Sequence, residues 1–277
     1  MRRLRAPSGA ELPVLGQGTW GMGERGSDRD AEVAALRRGL DLGVGLIDTA
    51  EMYGGGGAEE VVGAAIEGRR DEAFVVSKVF PHNATAEGTI AACERSLRRL
   101  GIEHLDCYLL HWRGSTLLAE TLEAFERLRR DGKIRHFGVS NFDPSDVDEL
   151  LSHASGRRSA TNQVLYNLTR RGIEFDLLPR CREQRLPVMA YSPIEQGRVT
   201  RDPVLRRIAE RHSATPAQIA LAWVLRADGV AAIPKAATPE HVEQNLAALD
   251  VELHADDLSE LDSRFPPPDG PVPLEIL

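Results

Sequence analysis

Cysteine is scarce in this chain of 277 residues. Cys93, Cys107 and Cys181 are the only three, they form no CxxC pair, and one is left over from any pairing. That excludes a disulfide framework and fits a reducing compartment, so a cytoplasmic location is expected. Cys107 lies inside an apolar run, where a thiol serves as a small buried hydrophobe. Excess positive charge is missing as well. The formal net charge of −8 argues against nucleic acid or an anionic membrane as the main partner. No apolar run approaches the roughly 20 residues of a membrane span. The basic start (Arg2, Arg3, Arg5) leads into Pro7, Ser8, Gly9 and Glu11 instead of an apolar stretch, so no signal peptide is read. No cluster of His, Cys and carboxylate has metal-ligand spacing, and no metal is expected. A flexible linker is absent too. Residues 1–277 are therefore read as a single domain, expected to be a monomer.

What is present is a repeat. After a predicted N-terminal hairpin (Arg2 to Arg5, then Glu11 to Leu15), short apolar runs start near residues 16, 44, 74, 105, 134, 160, 187 and 230. Most are separated by about the 30 residues of a βαβ unit. Amphipathic stretches fill the intervals and stop at Gly43, Gly101 and Gly132, each able to take the left-handed conformation that ends a helix. The longest interval holds two helices, the second opening at Thr215-Pro216-Ala217-Gln218 with a cap, a first-turn proline and a Gln that reaches back. Eight strand–helix units in about 250 residues predict a (β/α)8 TIM barrel with a short N-terminal β-hairpin and extra helices near the C-terminus. The rival is a doubly wound sheet, since Gly16-Gln17-Gly18-Thr19-Trp20-Gly21 matches GxGxxG. A dinucleotide-binding turn must run straight into a helix, and the glycine-rich segment Trp20 to Gly26 cannot start one. Gly54 to Gly57 lacks the GK[ST] of a phosphate loop.

In a barrel, reactive groups project from the carboxyl ends of strands. Asp48, Lys78 and His111 stand at the ends of three successive runs, and Tyr53 follows Asp48 on a glycine-flanked loop. A strand-end Asp often caps a loop and a lone Lys is usually solvated. Their joint occurrence on neighbouring ends argues for chemistry instead. A tyrosine hydroxyl titrates near pH 10, too high for ready proton donation. An adjacent ammonium is expected to lower that value, and a carboxylate would hold the ammonium in place. A histidine can hydrogen-bond the reacting oxygen. The set suits a general acid acting on a carbonyl that gains negative charge. With neither nucleophile nor metal, the charge would come from hydride delivered by a bound cofactor.

The chain resembles the aldo-keto reductase superfamily over nearly its whole length. The likeness is carried by Leu15 to Trp20, Gly45 to Gly54, Ser77-Lys78, Leu109 to Trp112, Gly138 to Phe142, Asn162-Gln163, Ala190 to Pro193 and Ile233 to Lys235. The resemblance implies a nicotinamide cofactor across the barrel mouth and a small carbonyl substrate. It implies Tyr53 as proton donor with Asp48, Lys78 and His111 as partners. It assigns Ser140, Asn141 and Gln163 to the nicotinamide carboxamide, Tyr191 to stacking on its ring, and Ser192 to the pyrophosphate. Lys235, Thr238, His241, Gln244 and Asn245 match the adenosine end, and Trp20 and Trp112 the walls of the substrate pocket. Trp223, midway along a helix, reads as core. Ala236 and His241 stand where NADPH-selective relatives tend to have Ser and Arg. NADPH is therefore expected, with NADH also used. The loop after run seven (Ile194 to Arg198) and the tail after Phe265 are short, which predicts an open pocket. A regulatory subunit of the same fold is the alternative reading. A short-chain dehydrogenase is disfavoured, because no tyrosine has the Tyr-x-x-x-Lys spacing.

Overall fold

The structure, a computed structural model, describes residues 1–277. Strands β1 (Arg3–Arg5) and β2 (Glu11–Pro13) form the antiparallel hairpin. Eight parallel strands follow: β3 (Gly16–Gly18), β4 (Leu46–Asp48), β5 (Phe74–Val79), β6 (Leu105–Leu110), β7 (Ile134–Ser140), β8 (Asn162–Leu165), β9 (Val188–Tyr191) and β10 (Val230–Ala232). Each pairs with its sequence neighbour. The ring closes where Leu15 bridges Ala232 and Gly18 bridges Lys235, with Gly18 N–H donating to the Pro234 carbonyl at 3.0 Å. This is the predicted (β/α)8 barrel.

The helical stops behave as expected. Gly43, Gly101 and Gly132 have φ of 78°, 66° and 73°, conformations that cost a side-chain-bearing residue free energy. The interval between β9 and β10 holds two helices, Pro203–Arg211 and Pro216–Leu225. The second begins with the reciprocal Thr215–Gln218 capping box. Trp223 on that helix is fully buried, as are the three cysteines. No helix is long and apolar enough to cross a membrane.

Two apolar layers follow from the period-2 alternation of the strands. Residues on the outward face meet the helices in a large core that includes Ile47, Val75, Tyr108 and Val139. Residues on the inward face fill the barrel: Leu46, Val76, Cys107, Leu109, Met189 and Ile233, with Leu12 of β2 joining them. Burial of each such side chain stabilises the fold by about 1.5–3 kcal/mol. The same alternation positions the chemistry. Asp48 follows Leu46 on its inward face, Lys78 follows Val76, and His111 follows Leu109. One boundary differs from expectation. β5 runs on to Val79, so Lys78 is the last but one residue of its strand instead of its end, and it is fully buried.

Candidate active site

The barrel's mouth opens into a cavity of about 860 Å³. Beneath it, Lys78 Nζ donates to Asp48 Oδ2 at 2.8 Å, to the Thr49 carbonyl at 2.8 Å and to Tyr53 Oη at 3.2 Å. An ammonium has three N–H bonds, and all three are used. The other Asp48 oxygen, Oδ1, accepts from Gln163 Nε2 at 2.7 Å. Both oxygens therefore face N–H donors, the pattern a carboxylate satisfies. Burial alone would lower the lysine, but the Asp48 charge and the hydrogen bonds to Asp48 and Tyr53 outweigh it and hold Lys78 above its ordinary value. Burial pushes Asp48 up against the pull of Lys78 and Gln163.

Tyr53 corrects an expectation. Lys78 does pull its phenol toward ionisation. Burial pushes the other way more strongly, helped by the Asp48 charge, and the net shift is upward. The hydroxyl stays protonated across neutral pH. The ring stands edge-on to His111, 5.7 Å between centroids. Burial, with the Lys78 charge nearby, pushes His111 down to about 2, so its imidazole is neutral. Its Nδ1 is buried without a partner.

The loop carrying Tyr53 is held from two sides. Glu51 accepts from Phe80 N–H at 2.8 Å and Asn83 Nδ2 at 3.0 Å, and pairs with Arg95. Gly57, just past the tyrosine, packs backbone to backbone on Gly23. A Cβ at Gly57 would stand 2.3 Å from the Gly23 carbonyl oxygen. The glycine run is thus a close approach between two loops, not a phosphate cradle.

Ser140 ends β7, Asn141 follows it, and Gln163, the second residue of β8, pairs with Ser140 in register; all three line the cavity. Asn141 holds a left-handed φ of 57°. Its Nδ2 donates to the His111 carbonyl at 3.0 Å, and its Oδ1 accepts from Tyr191 Oη at 3.0 Å. Tyr191, Ser192, Lys235, Trp20 and Trp112 also line the cavity. Trp112 packs edge-on to Phe80 at 4.9 Å. Lys235 is exposed and donates to the Gly21 carbonyl at 3.3 Å. Thr238, His241, Gln244 and Asn245 do not line the cavity. They sit on the first turns of the helix Pro239–Ala247 just beyond Lys235, with Thr238 capping it by accepting from His241 N–H.

Sequence reasoning missed part of the wall. Met52 and the loop residues Gln196, Gly197 and Arg198 line the cavity, and so do Ile276 and Leu277 from the far end of the tail. The short tail was expected to leave the pocket open. The tail nevertheless adds Ile276 and Leu277 to one side of the cavity, with Leu274 packed on the core and Leu277 N–H donating to Tyr191 Oη at 3.4 Å. One signal was available for the lysines. The chain has three among 34 Lys and Arg residues, and two of the three stand in this site.

A half-buried tyrosine hydroxyl beside a buried, charged lysine, in the mouth of a parallel barrel, is an arrangement suited to a carbonyl oxidoreductase. The model of the Aldo/keto reductase family matches residues 14–264. Methylglyoxal reductase YeaE of Escherichia coli is 54% identical over 271 residues, covering 96% of this chain and 95% of that one. Glyoxal reductase of Bacillus subtilis is 36% identical, covering 99% and 97%. Among solved structures, an aldo-keto reductase from Klebsiella pneumoniae in complex with NADPH superposes with a TM-score of 0.97 at 51% identity, covering 100% and 99%. The chain belongs to the aldo/keto reductase family. These relatives are reductases, and the regulatory-subunit alternative finds no support among them.

Proposed function

We propose that this protein reduces small aldehydes and reactive ketones, α-dicarbonyls among them, with NADPH as hydride donor and Tyr53 as general acid. One observation carries the reading. Lys78 spends its three protons on Asp48, the Thr49 carbonyl and Tyr53 Oη, so the phenol accepts from the lysine and keeps its own O–H to give. The relatives named for methylglyoxal and glyoxal support the substrate class. A methylglyoxal or glyoxal carbonyl is made electrophilic by its neighbour and needs little further activation.

The residues fit the cofactor. Gln163 donates through Nε2 to Asp48 and Met189, which leaves Oε1 to accept from a carboxamide N–H. Tyr191 offers an aromatic face for stacking. Lys235 offers an exposed cation beside a helix N-terminus, suited to a phosphate. When bound, NADPH would supply the hydride that the carbonyl carbon takes up. As charge builds on the carbonyl oxygen, Tyr53 donates its proton there. Neutral His111 orients the oxygen by hydrogen bonding, and Lys78 stabilises the phenolate that is left. Purified protein should oxidise NADPH with methylglyoxal, glyoxal and simple aldehydes. No turnover with any of them, despite tight NADPH binding, would refute the reading.

The adenosine end yields a separate expectation. NADPH differs from NADH by one phosphate. Ala236 brings no hydroxyl to it; its methyl is buried against Ala35 and Val242. Arginine at position 241 would add a permanent charge and a planar fork that grips phosphate. His241→Arg should strengthen NADPH binding by about 1–2 kcal/mol, the scale of a charge-assisted contact, and leave NADH nearly unchanged. Lys235→Ala should weaken NADPH far more than NADH. Dissociation constants from quenching of intrinsic fluorescence decide this. Equal losses for both cofactors in Lys235→Ala would mean that the lysine does not meet the phosphate.

A further inference from the structure

Three segments that are distant in sequence meet at one guanidinium on the rim of the cavity. Arg170 lies in the loop after β8, where it bridges Asn167. Its Nη1 pairs with Glu275 of the tail, and its Nη2 with Glu195 Oε1 at 3.4 Å. Glu195 belongs to the loop after β9, and its side chain is only 7% exposed. Asn167 Nδ2 donates to Glu195 Oε2 at 2.8 Å and to the Ser192 carbonyl at 2.9 Å. Arg198 also pairs with Glu195, at 3.0 Å. That loop is wound left-handed at Ser192, Glu195 and Gln196, with φ of 47°, 48° and 54°. Non-glycine residues hold such values only where surrounding contacts over-determine them. The contacts here are those of Glu195.

The tail is held in the same way. Val272 passes over Gly172, where a Cβ would meet it at 3.2 Å, and Leu274 packs on the core. Glu275 then makes the ion pair, and the two residues beyond it, Ile276 and Leu277, enter the cavity wall. Leu277 N–H reaches Tyr191 Oη, which in turn donates to Asn141. Without the ion pair, nothing polar fixes the tail between Leu274 and the cavity except that one long hydrogen bond.

We propose that Arg170 is a positioning residue for carbonyl reduction. By holding Glu275 it seats Ile276 and Leu277 as one wall of the carbonyl pocket. By holding Glu195 with the same guanidinium it ties that wall to the loop that borders the cavity through Gln196 and Arg198. The inference rests on the reductase reading above. It predicts an effect on substrate binding, not on the proton-transfer chemistry, since Arg170 touches none of Asp48, Tyr53, Lys78 and His111.

The test uses Arg170→Met, Glu275→Gln, their combination, and Arg170→Lys, with an aromatic aldehyde large enough to reach the tail. Each single variant should raise KM by about fivefold, the scale of one partly exposed ion pair, with kcat within about twofold of wild type. The double variant should be no worse than Arg170→Met, because the two residues act through one contact. Arg170→Lys should recover part of the loss. If Arg170→Met does not fold, Glu275→Gln alone carries the comparison. Unchanged KM in the single variants, or losses that add, would overturn the proposal. Amide hydrogen exchange across residues 272–277 gives a readout that needs no turnover. Exchange there should quicken in Arg170→Met and Glu275→Gln, and unchanged protection would also overturn it. A wild type that reduces no carbonyl, with the exchange result as expected, would sink the reductase reading and leave the seating of the tail intact.

Discussion

Tyr53→Phe should bind NADPH like wild type and reduce carbonyls about 10²–10⁴-fold more slowly, the usual contribution of a positioned proton donor. The substitution removes one oxygen. It leaves the ring, its edge contact with His111 and the Lys78–Asp48 pair in place. Neither polar neighbour of the ring can take over. His111 is pushed down to about 2 and carries no proton to lend as an acid near neutrality. Lys78 is buried beneath the cavity with all three N–H bonds engaged. The pH dependence follows from the same facts. The Tyr53 phenol lies above its ordinary value because burial outweighs the lysine. Wild-type reduction should therefore hold across neutral pH and fall only as alkaline pH strips the phenol. The variant should lose that alkaline limb along with the rate. Single-turnover oxidation of NADPH by methylglyoxal, followed from pH 6 into the alkaline range, separates chemistry from product release. Near-wild-type single-turnover rates in the variant would remove Tyr53 from the role.

The barrel was legible because its signals are local and repeated. Apolar runs, glycine stops and the Thr215 capping box each report on a few neighbouring residues, and they agreed. That Asp48, Tyr53, Lys78 and His111 would come together was legible for a related reason. A barrel sends strand ends to one face, so position along the strand predicts position in space. What stayed hidden depends on contacts across long sequence separations. Nothing near Glu275 announces that it will meet Arg170, 105 residues away. The tail read only as short, yet Leu274 packs on the core and Ile276 and Leu277 line the cavity. Glu51, between Asp48 and Tyr53, carried no signal of its own in the sequence. It anchors the tyrosine loop to Phe80, Asn83 and Arg95. The sign of the Tyr53 shift was also out of reach. The lysine's pull is a pairwise effect that residue types suggest, whereas desolvation depends on how completely the site is enclosed.

Enclosure also decides what Lys78→Met does. A solvated lysine could be exchanged with little effect on folding. This one is fully buried, and its partner Asp48 is 2% exposed. Removing one member of a buried pair strands the other charge, at a cost of about 3–5 kcal/mol. Gln163 would remain as the one side-chain donor to Asp48. The carboxyl can escape the penalty by taking up a proton, which raises its folded-state pKa above the unfolded value near 4. A group shifted in that direction contributes stability that is present at low pH and lost as pH rises. The deficit of Lys78→Met relative to wild type should thus be small near pH 4.5 and largest near pH 8. Carbonyl reduction should fall by about 10²-fold or more at every pH, since no charge then stabilises the Tyr53 phenolate. Asp48→Asn combined with Lys78→Met keeps an acceptor for Gln163 and removes the stranded charge. It should regain most of the thermal stability at pH 8 and none of the activity. Melting curves of the three proteins at both pH values make the comparison. A deficit for Lys78→Met equal at pH 4.5 and pH 8 would show that Asp48 is not the group left stranded.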